Sequence, residues 1–151
     1  SIEDCYDATS RSIKSLFDYL NSYDVDITGT ILKPNMVTPG LDSENKASVR
    51  EVAEMTIRCL KESVPDELPG VAFLSGGQTE IESTEHLDMM NKIGGFPWKL
   101  SFSYGRALQQ SALNAWLGKA ENKVAAQAAF AHRAEMNKLA SLGQWSADLE
   151  N

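Results

Sequence analysis

Helical and strand patterns alternate along this chain, and that alternation limits the folds open to it more than any other feature. Cys5, Thr9, Ile13, Leu16, Phe17 and Leu20 recur at helical spacing, which predicts a helix from Ser1 to about Asn21. Val25 to Lys33 then changes to a period of two, with Val25, Ile27, Gly29, Ile31 and Lys33 on one face. Pro34 cannot donate to a ladder and ends that strand. Ser48 with Glu51, and Thr79 with Glu82, are capping boxes that open two further helices, and Ser1 with Asp4 resembles one at the first. Val71 to Ser75 and Trp98 to Ser103 read as short buried strands, leading into the turns Gly76-Gly77 and Tyr104-Gly105. Two more helices are expected, from Arg106 to Leu117 and from about Glu121 to Leu142, the last with Val124, Ala128, Ala131 and Leu139 inward. Strands that alternate with helices form right-handed βαβ units and a parallel sheet, so the fold class is α/β. Three such strands leave two open edges and an uncovered apolar face, which suggests part of a larger sheet.

Composition narrows the partners. The 151 residues are 42% hydrophobic and 23% charged, enough for one domain with a core. A net charge of −7 disfavours nucleic acid, whose phosphates repel an acidic surface. A small anion is still compatible, because a few cations and backbone N–H groups suffice to hold it. Cys5 and Cys59 lie on apolar helical faces and read as buried free thiols of a reducing, cytoplasmic setting. With His86 and His132 they show no metal-ligand spacing. No secretory leader and no apolar run of membrane-spanning length is present, so no membrane partner is expected.

In parallel α/β folds function collects at the C-terminal ends of the strands. The first end carries Lys33 and Asn35, the second Ser75-Gly76-Gly77-Gln78, the third Ser103-Tyr104-Gly105-Arg106. A lysine held in a low-dielectric strand end can lose its proton and attack a carbonyl as a neutral amine. Taken alone, Lys33 reads more often as a solvated strand end, Gly76-Gly77 as a plain tight turn and Arg106 as a surface ion-pair partner. Two glycine turns on adjacent strands, one with a guanidinium, together describe a phosphate site of the kind found after the last two strands of a (β/α)8 barrel. His86 and His132 sit inside helices as packing or surface residues, and Trp98, Trp116 and Trp145 read as packing residues.

The strings that carry these groups are specific. Gly29-Thr30-Ile31-Leu32-Lys33-Pro34-Asn35-Met36-Val37-Thr38-Pro39-Gly40 resembles the active-site segment of class I fructose-bisphosphate aldolases. Phe73-Leu74-Ser75-Gly76-Gly77-Gln78 and Ser101-Phe102-Ser103-Tyr104-Gly105-Arg106-Ala107-Leu108-Gln109 are similar to two further segments of that family, in the same order. The end of the chain, through Leu142-Gly143-Gln144-Trp145, looks like the bacterial-type members. The resemblance implies a (β/α)8 barrel, with residues 1–151 as the C-terminal portion of its single domain: about three strands and their helices. It implies Lys33 as the Schiff-base lysine, and Ser75, Gly76, Ser103, Gly105 and Arg106 as holders of a substrate phosphate. It implies a lyase of glycolysis and gluconeogenesis that cleaves fructose 1,6-bisphosphate reversibly, without a metal or other cofactor, commonly as a homo-oligomer.

The family draws its acid/base carboxylates and a second lysine from the first five strands, which have no counterpart in this sequence. The chain alone is therefore expected to be incomplete, with the N-terminal part of the barrel or identical subunits as partners. An alternative is a non-catalytic phosphate-binding or protein-interaction fragment. A third is another Schiff-base barrel lyase acting on a different phosphorylated sugar.

Overall fold

Three of the helices begin where a side chain can accept their free N–H groups. The computed structural model describes residues 1–151, and in it α1 (Ile2–Ser22), α2 (Val49–Ser63) and α3 (Glu80–Ile93) each open on a complete capping box. The pairs are Ser1 with Asp4, Ser48 with Glu51 and Thr79 with Glu82, as the sequence indicates. Two more helices complete the set, α4 (Arg106–Trp116) and α5 (Lys123–Ser141). Between the helices run three parallel strands, β1 (Ile31–Leu32), β2 (Gly70–Phe73) and β3 (Lys99–Phe102), in the order β1-β2-β3.

The first strand is shorter than its alternating pattern suggests. Asp26 accepts the Thr28 amide at 3.0 Å and the Thr28 hydroxyl at 2.6 Å, and so caps a 3-10 turn over Ile27–Gly29. This local side-chain bonding competes with the ladder and wins, leaving Ile31 and Leu32 paired with Gly70 and Val71. The strand ends are nevertheless tied further along. The Leu74 amide donates to the Pro34 carbonyl at 2.9 Å, and the Ser103 amide to the Phe73 carbonyl at 2.8 Å. All three C-terminal ends therefore sit at one level on one rim.

Alternation along the strands separates two faces. Leu32, Val71, Phe73 and Leu100 enter the main core with Ile13, Phe17, Ile57, Leu60, Leu87 and Met90 from α1, α2 and α3. Ile31, Gly70 and Lys99 share a register row on the opposite face, and Ala72 pairs with Ser101 in the same sense. Ile31 is 68% exposed there, so the helices cover one side of the sheet only. Lys33, one step beyond the paired Leu32, is exposed.

The inward face of α5 differs from its small-residue pattern. Val124, Ala128 and Ala131 are exposed, and Leu139 is half-buried. Arg133, Met136, Asn137 and Ala140 are buried instead. Arg133 can be buried because Glu150, in a final 3-10 turn over Ala147–Glu150, accepts from both its terminal nitrogens, at 2.9 and 2.6 Å. Asn137 accepts the Thr84 hydroxyl of α3 at 2.8 Å. Trp98 and Trp145 are packing residues, at 3% and 5% exposure, whereas Trp116 and Leu16 are exposed.

Candidate active site

Lys33 is anchored through its backbone and the three residues after it, not through contacts of its own side chain. Pro34 gives its carbonyl to β2, and the Asn35 side-chain amide donates to the Thr9 hydroxyl at 2.9 Å and to the Met36 carbonyl at 3.0 Å. The Val37 amide donates to the Thr56 hydroxyl at 2.9 Å. These bonds fix the segment against α1 and α2 and leave the Lys33 side chain free at a cavity of about 330 Å³, with Thr9, Ser12, Ile13 and Asn35 on its wall. The expected low-dielectric setting for the amine is not built by these elements. Lys33 is exposed at the edge of the sheet, with only α1 beside it.

The second strand end is a turn made for backbone donors. Gly76 and Gly77 have φ of 59° and 85°, in the left-handed region that glycine enters at little cost. The Gln78 amide closes the turn on the Ser75 carbonyl at 3.1 Å. The Gly76 and Gly77 amides donate to no backbone or side-chain acceptor, which leaves them for a ligand or solvent.

At the third end Gly105 is the N-cap of α4, and no side chain caps that helix. The three capped helices spend a first-turn amide on their own side chains, whereas α4 leaves the Arg106 and Ala107 amides open to an anion. Tyr104, just before it, is 5% exposed and donates its hydroxyl to the Ser83 carbonyl of α3 at 2.8 Å. Burial raises the Tyr104 phenol far above its usual range, and the Ser83 contact offsets only part of that, so the group stays protonated as a donor. The turn before Arg106 is thereby fastened to the helix that leads out of the glycine turn.

Ser75 and Arg106 come together on one cavity of about 280 Å³, with Gly77, Gln78, Thr79 and Glu80 on its wall. The Glu80 carboxylate in that wall is taken up by the amide and hydroxyl of Ser111 on α4. Gly76 faces a neighbouring cavity of about 830 Å³ with Lys46, Gln78 and His86. Ser103 and Gly105 are exposed on the same rim, at the end of β3 and the start of α4. Lys33 opens on a different cavity from Ser75 and Arg106. Nowhere do three His, Cys, Asp or Glu side chains converge as metal ligands.

One residue at this site escapes the sequence reading. His86 is 8% exposed, and its Nδ1 lies 2.5 Å from Gln78 Oε1, directly behind the glycine turn. The two residues are eight apart across a turn and a helix start, a spacing that no periodicity marks.

Known proteins are similar to this chain along nearly all of its length. A family model for class-I fructose-bisphosphate aldolase, of glycolysis, matches residues 1–151. A probable class 1 fructose-bisphosphate aldolase of Xanthomonas axonopodis pv. citri is 50% identical over 145 residues, which are 95% of this chain and 43% of the relative. A cytosolic fructose-bisphosphate aldolase of Arabidopsis thaliana is 48% identical over 150 residues, 99% of this chain and 38% of the relative. Among solved structures, the fructose-bisphosphate aldolase of Plasmodium falciparum, in complex with TRAP and a small-molecule inhibitor, superposes with a TM-score of 0.94 at 45% identity. That match covers 97% of this chain and 42% of the other. The chain thus spans less than half the length of the relatives it matches, as a C-terminal part of the (β/α)8 barrel. By motif order, strand topology and matched length, it belongs to the class-I fructose-bisphosphate aldolase family.

Proposed function

We propose that this chain supplies the Schiff-base lysine and the phosphate rim of a fructose-bisphosphate aldolase, as the C-terminal portion of one barrel domain. The observation that carries the reading is the single rim on which Lys33, the Ser75 turn and the Arg106 turn stand, tied by the Pro34–Leu74 and Phe73–Ser103 bonds. In this reading Ser75, Gly76, Ser103, Gly105 and Arg106 hold one phosphate of the sugar. The Lys33 amine adds to the ketone carbon, and loss of water gives a protonated imine. The adjacent C–C bond then breaks, its electron pair flows into the imine to form an enamine, and the aldehyde product leaves. Protonation and hydrolysis of the enamine release dihydroxyacetone phosphate and regenerate the amine. The acid/base groups come from strands outside this sequence, so turnover requires the rest of the barrel. The setting is cytoplasmic and the assembly a homo-oligomer, in keeping with a relative named cytosolic and with no helix long and apolar enough to cross a membrane.

A second reading, a phosphate-binding scaffold without chemistry, is favoured by one observation: Lys33 is exposed and faces a different cavity from Ser75 and Arg106. Lys33→Met separates the two. In the aldolase reading, with the remaining barrel strands supplied, the parent captures dihydroxyacetone phosphate covalently and the variant does not. In the scaffold reading the parent and the variant bind the sugar phosphate alike, and neither is captured.

A further inference from the structure

The peptide between Ser75 and Gly76 is planar and trans, so its C=O and N–H point in opposite directions. Whatever fixes the Ser75 carbonyl therefore fixes the Gly76 N–H. Two donors of Gln78 hold that carbonyl, the backbone amide at 3.1 Å and the side-chain Nε2 at 2.9 Å. The orientation of the Gln78 side chain is set in turn. Its NH₂ group faces the Ser75 carbonyl and the Met36 sulfur, so its Oε1 faces His86. Two acceptors cannot share a 2.5 Å contact, so His86 Nδ1 carries the proton. The ring is 8% exposed, and its burial lowers the His86 pKa against the opposing pull of Glu82. Burial thus favours the neutral imidazole, with Nδ1–H as the donor to Gln78.

We propose that His86 and Gln78 are positioning residues for the phosphate subsite, and that they aim the free Gly76 amide at the ligand by clamping the Ser75 carbonyl. This rests on the phosphate role assigned above to the Ser75 turn. Two glycines with positive φ make the turn intrinsically loose, since each adopts many backbone conformations at little cost. A donor that must be ordered when the ligand arrives contributes less to affinity than one ordered beforehand. The clamp reaches from the rigid helix α3 to the turn through one neutral hydrogen bond and leaves the Gly76 amide without an acceptor.

The test uses the 151-residue chain and two variants. His86→Leu removes the donor, and His86→Asn keeps an N–H near the position of Nδ1. Two readouts are taken: the backbone order of Gly76 and Gly77 by ¹⁵N relaxation without ligand, and the dissociation constant for inorganic phosphate from amide shifts. The expected result is lower order at Gly76 in His86→Leu, phosphate binding about fivefold weaker, and recovery of both in His86→Asn. Thermal denaturation of the three proteins separates this from general destabilisation, which would leave order at the Ser103–Gly105 turn and at Gly76 equally lowered. Unchanged Gly76 order in a folded His86→Leu overturns the clamp, as does equal lowering at both turns. If the parent binds no phosphate yet loses Gly76 order in His86→Leu, the clamp stands and the phosphate reading fails.

Discussion

Arg106 is the residue whose loss the phosphate reading feels most. It is exposed at the open start of α4 beside Ser75, and no neighbouring side chain replaces its charge on that cavity. A charge-assisted hydrogen bond is worth about 1.5–3 kcal/mol, so Arg106→Ala should weaken phosphate binding by roughly tenfold or more, read by calorimetry or amide shifts. Cys59 offers a second check at this scale. Burial raises its thiol to about 11, so little thiolate exists at about pH 8. Alkylation of the native chain at that pH should spare Cys59 and reach it only after unfolding, as followed by peptide mass. The strand ends that carry Lys33, Ser75 and Arg106 were legible in the sequence because each sits in a contiguous string with a strand before it. The His86–Gln78 contact was not, because it depends on the Gln78 side chain, and neither spacing nor composition records a rotamer.

The elements were legible where their signals are local. Three capping boxes mark three helix starts because all the bonding atoms lie within four residues. Thr79→Ala should cost about 1 kcal/mol in urea denaturation, since it strips the cap from α3 immediately after the glycine turn. The partner Glu82 adds a pH dependence. The Thr79 backbone amide, bonded at 2.8 Å, lowers the Glu82 carboxyl below its usual 4.5, with burial opposing. A carboxyl depressed on folding stabilises the chain above its unfolded pKa and loses that contribution as pH falls through the folded one. The stability difference between parent and Glu82→Gln should be full at about pH 6 and shrink below about pH 4.5; a constant difference across that window would refute it. Elements were misread where a side-chain bond, near or far, overrides the pattern. Asp26 turned half of an alternating strand into a 3-10 turn. The buried face of α5 is set by Glu150, seventeen residues beyond Arg133, and by Thr84 on α3, so small apolar residues on α5 stayed outside.

At the scale of the molecule the decisive fact is one-sided coverage. Ile31, at 68% exposure, and Lys99 in its register row are left exposed by the helices, while α4 and α5 leave Leu117 at 67% and Val124 at 77%. Apolar surface of this kind drives association. Sedimentation of the isolated chain should show concentration-dependent oligomers, and Ile31→Glu should reduce them. The amine chemistry proposed for Lys33 calls for low-dielectric walls, and Lys33 is exposed in a chain that spans under half of its relatives. The barrel class was legible because strand-helix alternation and three motif strings agree. The missing walls were legible too, from the count of strands. Borohydride reduction with dihydroxyacetone phosphate, with intact mass and peptide mapping of the product, tests the central claim most directly, on this chain alone and with the remaining barrel strands supplied. One adduct, on Lys33, is expected once the barrel is complete. An adduct on another lysine, or none in either sample, would contradict the assignment.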